Sequence, residues 1–322
     1  MNAEGGRAVS SVVPHVSLSS PWPHRIALVL ACATFPLLFI GGLVTSKGAG
    51  LAVPDWPTSF GYNMFLYPWS KMVGNVFYEH GHRLVASFVG LLTIALVLIF
   101  WLRERRVWLR WLALGALALV IAQGVLGGLR VVLLEDTLAI VHAATAQAFF
   151  ALTVALAVFT SAEWQNVLAR DPLTDGGRLR RLCAVTMGLI YLQAIFGAVL
   201  RHTGDRLDAH LAFAALVALH VVLLLIRITR HHAEVPGLTR PALLLFGLLM
   251  LQLALGTLSY MAKYTTALHL TLNPLVLITT THLAVGALML AASAALTLRA
   301  FHLSAWSRGH SGRNLVAEQC SL

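Results

Sequence analysis

The sequence predicts an all-α polytopic membrane protein: eight transmembrane helices forming two pseudo-symmetric four-helix bundles, with both termini cytoplasmic. Three observations predict it. Of the 322 residues, 58% are hydrophobic and only 11% charged, and the mean hydropathy is +0.78, too little charge for a soluble globule of this length. The apolar residues fall into blocks of about 20, roughly the span of a bilayer core. Glutamine, glycine and histidine then recur along the blocks in register.

The blocks lie at about 26–46, 80–102, 109–129, 138–160, 181–201, 208–228, 241–261 and 277–299. Lipid forces each segment to satisfy its own backbone polar groups, so each block is a helix. The chain divides into an N-terminal tail (1–25), a first bundle (26–160), a linker (161–180), a second bundle (181–299) and a C-terminal tail (300–322). The first 25 residues lack the apolar core of a cleaved signal peptide. Their few arginines suit a bacterial inner membrane better than a mitochondrial transit peptide.

The net charge of +10 is unevenly placed. Sixteen of the 23 Lys and Arg residues lie in the tails and the even-to-odd loops, among them Arg103, Arg105, Arg106, Arg110, Arg178, Arg180 and Arg181. The positive-inside rule assigns that side to the cytoplasm. The basicity orients the chain in a membrane and calls for no nucleic acid. None of the three cysteines, Cys32, Cys183 and Cys320, falls in an outward loop, so no disulfide is expected there.

The outward ends of the third, fifth and seventh spans read QGVLGGLRV (123–131), QAIFGAVLR (193–201) and QLALGTLSY (252–260). Each has Gln followed by Gly four residues on, one helix face: Gln123/Gly127, Gln193/Gly197 and Gln252/Gly256. The first span has Gly41 aligned but Leu37 in place of Gln. Ordinary helix packing is a sufficient reason for such glycines, and Gln hydrogen-bonds across helices. Each even-numbered span starts with a histidine: His82, His142, His210 and His282, with Ala86, Ala146, Ala214 and Gly286 at i+4. A duplicated four-helix unit accounts for the pattern.

Imidazoles in transmembrane segments are costly and usually functional. Zinc or copper would gather three or four ligands, often with Cys, Met or carboxylate. Here two histidines arrive per bundle, one from each of two helices. Haem needs one axial ligand per face, and a small residue one turn along leaves the flat macrocycle room. Two bis-histidine haem sites near the outer surface follow. His231 and His232 fall in a cytoplasmic loop, His220 stands alone toward an inner helix end, and His202 and His269 are rim candidates in outward loops.

The head of the second span reads YEHGHRL (78–84). On a helix Glu79 is about 60° from His82 and about 40° from Arg83, while His80 is about 160° from His82. His82 is therefore the ligand candidate, and His80 points elsewhere. Glu79 is a helix-end acid complementing the dipole or an i, i+4 partner of Arg83, or else a group held against the macrocycle to position water, move a proton or stabilise positive charge. It has no counterpart: at that offset from His142, His210 and His282 stand Ala139, Leu207 and Thr279. Arg130 and Arg201, at outward helix ends, match carboxylate geometry and are candidates for haem propionates. Interfacial snorkelling explains them equally well.

With these residues in place, the chain from about 26 to 300 resembles the haem A synthase family. The carrying motifs are GGLVTSKGAGLAVPDWPTSFG (41–61), EHGHR (79–83), QGVLGGLRV followed by His142, QAIFGAVLRHTG followed by His210, and THLAVGAL (281–288). The resemblance implies oxidation of the C8 methyl of haem O to the formyl group of haem A through a hydroxymethyl intermediate. It implies substrate haem between His82 and His142 with Glu79 as the essential carboxylate, and haem b between His210 and His282. It also implies a haem O synthase and cytochrome oxidase assembly factors as partners. Many bacterial relatives carry a cysteine pair in the first outward loop; here AVPDWPTSF (52–60) has none, so no thiol role carries over. Asp55 and Trp56 remain, in a loop long enough to act as a lid.

Two imidazoles on the substrate iron would exclude oxygen. Either one leaves, or the methyl group loses electrons and water supplies the oxygen, with Glu79 stabilising the cationic carbon. The sequence leaves both routes open, and it is compatible with a homo-oligomer. The rival readings are a di-haem b-type cytochrome that only passes electrons and a haem or solute transporter. Against the latter, the histidines lie at the outer end rather than the midplane.

Overall fold

In the computed structural model, the described residues are 20–165 and 176–319, with side chains described as far as 304. Most of the predicted N-terminal tail, the middle of the linker and Cys320 lie outside them. The helices are α1 (Trp22–Ser46), α2 (Asn75–Arg103), α3 (Val107–Leu133), α4 (Asp136–Thr160), a short α5 (Ala162–Gln165), α6 (Gly176–Thr203), α7 (Leu207–His231), α8 (Pro236–Tyr264) and α9 (Leu272–Gln319). Among the described residues there is no strand, and eight helices are long and apolar enough to cross a membrane. Every helix outruns its apolar block by a few residues, because backbone hydrogen bonding continues into flanks that also carry polar residues, such as Asn75 and Glu79. The last one continues far past 299, into the stretch expected to be a tail.

Each of α1–α4 packs on its neighbours and α4 returns to α1; α6–α9 close in the same way. Leu30, Val89, Leu96, Phe100, Leu109 and Leu156 centre the first group. Leu179, Val221, Leu224, Ile228, Leu245 and Leu296 centre the second. A smaller cluster of Phe150, Ala287 and Ala291, flanked by Phe35 and Leu38, joins the groups where α1 and α4 meet α9. The outside of the bundles remains apolar, as a lipid-facing surface must be.

Two tight connections set the site level. Leu134 and Arg206 take left-handed backbone conformations (φ 57° and 66°) between α3 and α4 and before α7. Chain reversal this short makes the helices antiparallel, so the end of α3 lies beside the start of α4, and the end of α6 beside the start of α7.

Candidate functional site

Each of the four histidines at an even-numbered span lies against a glycine of the preceding span. A Cβ built on Gly41 would stand 3.1 Å from Cε1 of His82. The same measure is 3.2 Å for Gly127 and His142, 3.3 Å for Gly197 and His210, and 3.0 Å for Gly256 and His282. All are closer than the ~3.5–4.0 Å of a relaxed carbon contact. The glycines thus make room for imidazole rings, a role that helix packing alone does not capture. Gly286, the small residue one turn beyond His282, makes room for an amide: its Cβ would meet Nε2 of Gln252 at 3.3 Å.

The glutamines reach across helices. Gln193 donates to the carbonyl of His210 (3.0 Å) and its amide nitrogen lies 3.2 Å from that ring's Nδ1. The Gln252 amide nitrogen lies 3.4 Å from Nε2 of His282. Gln123 departs from the pattern and bonds to Thr145.

The ring centroids of His210 and His282 are 6.3 Å apart, with the planes at 70°. A ring of bonds about 1.35 Å long puts each nitrogen about 1.15 Å from the centroid, and a metal–imidazole bond is about 2.0 Å, so two imidazoles flanking one ion have centroids about 6.3 Å apart. His82 and His142 are likewise electrostatic neighbours, with Arg130 beside both. Nδ1 of His82, His142 and His282 is enclosed and has no hydrogen-bond partner. Among the described residues no three His, Cys, Asp or Glu side chains converge on one point. Each pair therefore offers two ligands, and a metal there would take its others from a non-protein group. The residues fit an iron macrocycle on this test.

Glu79 is 4% exposed and both its oxygens are engaged: Oε1 with Arg83 at 2.9 Å, and Oε2 with the amide of Val53 at 2.9 Å. It is not in the first turn of α2, so the helix-end explanation falls away. Arg83 also donates to the carbonyls of Val53 (3.0 Å), Asp55 (2.7 Å) and Thr58 (3.1 Å). His80, 1% exposed, meets Ser59 Oγ at 3.0 Å and the Tyr67 ring at 4.9 Å between centroids. The opening of α2 thus clasps the long α1–α2 connection. Asp55 organises the tip, accepting from Thr58 Oγ1 (2.6 Å), Phe60 N (2.7 Å) and Gly61 N (2.8 Å). Trp56 lies against Gly128, beside the glycine that backs His142. Among the described residues Cys32 and Cys183 are free thiols.

Arg130 lies over Gly50, and Glu79 and Asp136 are its nearby negative charges. His202 stands at the end of α6 within the fields of Arg130 and Asp136, so a residue of the second group borders the first histidine pair. Arg201 donates to Gly42 O (2.7 Å), Ser46 Oγ and Thr279 O (3.5 Å), tying α6 to α1 and α9, while its Nε is buried without a partner. Of the other candidates, His220 Nδ1 turns back to Leu216 O (3.0 Å) and takes no part in either pair.

Fold and site together define a membrane protein with eight spanning helices among the described residues and glycine-backed histidines. The model of a family described as cytochrome oxidase assembly protein, COX15-CtaA, matches residues 24–212, and the chain belongs to that family. Over 105 residues, 32% of the chain, it is 33% identical to the heme A synthase of Shouchella clausii (strain KSM-K16). That match covers 34% of the relative's own length, so the chain aligns with about a third of it.

Proposed function

We propose that the chain is a haem A synthase of the cell inner membrane, an oxidoreductase that converts the C8 methyl group of haem O to a formyl group for cytochrome oxidase. The 6.3 Å separation of His210 and His282 matches two imidazoles across one iron and supports a haem b site; the buried Glu79, one turn before His82 and without a counterpart in the second group, carries the reading of a synthase. Family membership and the likeness to a heme A synthase support it. His210 and His282 hold haem b, which when bound supplies one-electron chemistry. His82 and His142 hold the substrate haem, with Gly41 and Gly127 seating their rings. Both sites face the periplasm and both termini the cytoplasm. Haem O synthase and oxidase assembly factors are the partners this role requires.

Glu79 supplies a fixed carboxylate one helical turn before His82 on α2, held by Arg83 and the Val53 amide. Its charge stabilises positive charge developing on the reacting carbon. Arg130, whose charge reaches both rings of the first pair, takes a substrate propionate, and the free Nε of Arg201 takes one from haem b. One observation favours a second reading, a di-haem b-type cytochrome: both Glu79 oxygens are already bonded, as in a purely structural acid.

Pigment extraction decides between them. Protein purified from cells supplied with haem O should carry haem A, and the Glu79→Gln protein should carry haem O and no haem A. Haem b alone, unchanged by substrate or mutation, would favour the cytochrome; protein devoid of haem would exclude both.

A further inference from the structure

The α1–α2 connection carries an apolar edge that the site does not use. Its 3-10 turns, Met64–Leu66 and Trp69–Lys71, contain no buried residue. Leu66 is 76% and Trp69 77% exposed, and Phe65, Val73 and Phe77 are open as well. An exposed apolar surface of this extent marks a binding face.

The surface continues from a face of known character. Phe77, in the first turn of α2, shares a stripe about 80° wide with Phe88, Leu91, Leu98 and Leu102, all of them exposed on a helix apolar enough to cross a bilayer. That stripe is the lipid-facing side of α2. Val73 precedes Phe77 by one turn's worth of chain, so the apolar edge runs from the stripe into the loop. The loop's other side is occupied: Val53, Asp55 and Thr58 by Arg83, Ser59 by His80, and Tyr67 by His80 and Phe60. Lys71 stands exposed among the apolar residues, its Nζ bonded to Tyr62 Oη at 3.0 Å and 4.9 Å from that ring's centroid.

We propose that Phe65, Leu66, Trp69 and Val73 are seated in the membrane surface, at the boundary between headgroups and acyl chains on that side of the bilayer. Tryptophan is enriched at that depth, and an apolar turn with a lysine beside it has the composition of an interfacial anchor, the cation facing lipid phosphates. The consequence reaches the site. The anchored segment belongs to the loop clasped by Glu79, His80 and Arg83, whose Trp56 lies beside the glycine behind His142. The cover of the first histidine pair is thereby fixed at the level of the lipid headgroups. This inference stands apart from the haem chemistry.

The test uses the full chain in nanodiscs of phosphatidylcholine and phosphatidylglycerol, with Cys32, Cys183 and Cys320 replaced by alanine. Nitroxides at Leu66→Cys and Trp69→Cys should be relaxed by oxygen more than by a water-soluble nickel chelate. The ratio should be several-fold above that at Asp205→Cys in the exposed α6–α7 turn. Nickel access equal to that at 205 would overturn the proposal. So would shielding from both reagents, the signature of a protein partner or a second copy. In the chain with native cysteines, brominated acyl chains should quench tryptophan emission, and Trp69→Phe should remove part of that quenching; unchanged quenching also counts against the proposal.

Discussion

The imidazole of His82 on α2 lies against the backbone of Gly41 on α1, so close that a Cβ at residue 41 would stand 3.1 Å from its Cε1. The relationship recurs at Gly127, Gly197 and Gly256, each with the histidine of the next span. In a helix, glycine costs about 1 kcal/mol relative to alanine. Its presence at these four points is offset by the position it gives each ring.

Enlarging one of these glycines should therefore damage one histidine pair selectively. Gly256→Val forces the His282 ring off its seat, an overpacking cost of about 1–3 kcal/mol. The purified variant should lose most of its low-spin haem b spectrum while the first pair keeps its ligand. Gly90→Ala is the control, since a Cβ there meets nothing within 4 Å; it should be neutral or slightly stabilising. Wild-type haem b content in Gly256→Val would refute the role assigned to the glycine.

The tip of the α1–α2 loop should respond to acid. Burial opposes ionisation of Asp55, but hydrogen bonds from the Gly61 amide, the Thr58 hydroxyl and the Phe60 amide outweigh it and hold the carboxyl below its usual value of 3.8. A group whose pKa is depressed on folding stabilises above its unfolded value, about 3.9, and loses that contribution as pH falls through the folded value. The Asp55 contribution to loop order, read as the difference in amide exchange at Phe60 and Gly61 between wild type and Asp55→Asn, should thus be constant from neutral pH to about pH 4 and decline below it. Asp55→Asn should raise exchange at neutral pH and flatten the acid response.

Much of this was legible in the sequence, for identifiable reasons. Apolar blocks announce membrane helices because lipid penalises anything else. Helical phase separated His80 from His82: the first ring lies on Ser59 and Tyr67, the second on Gly41. Glu79 was legible as the i, i+4 partner of Arg83, but the other three partners were not, because they are backbone carbonyls far upstream, and every residue has a carbonyl. Arg201 hid its link to Gly42 for the same reason, the acceptor lying on another helix 159 positions away. Gly41 and Gly256 were visible as glycines, but the sequence does not tell a glycine that admits a helix from one that admits a ring.

The clasp on the α1–α2 loop gives a way to separate structure from chemistry at Glu79. Arg83 reaches Glu79 and three carbonyls at once, with its planar guanidinium spreading the donors. Arg83→Ala leaves a buried carboxylate without its cation, a loss of about 3–5 kcal/mol. Arg83→Lys keeps the charge but cannot span the four acceptors, so amide exchange across residues 53–60 should rise and haem content fall with it. Glu79→Gln is gentler: its amide oxygen can still accept from the Val53 amide, and Arg83, though it then faces an amide, keeps its three carbonyl acceptors, so the loop should stay largely protected and haem O should still bind. If Glu79 serves only the loop, both variants should then make haem A in proportion to the haem O they hold. If its charge acts on the reacting carbon, Glu79→Gln should hold haem O behind an ordered loop and convert none of it, while Arg83→Lys converts what it binds. Pigment analysis and amide exchange on the same samples distinguish these outcomes, and wild-type conversion by Glu79→Gln would assign the carboxylate to the loop alone.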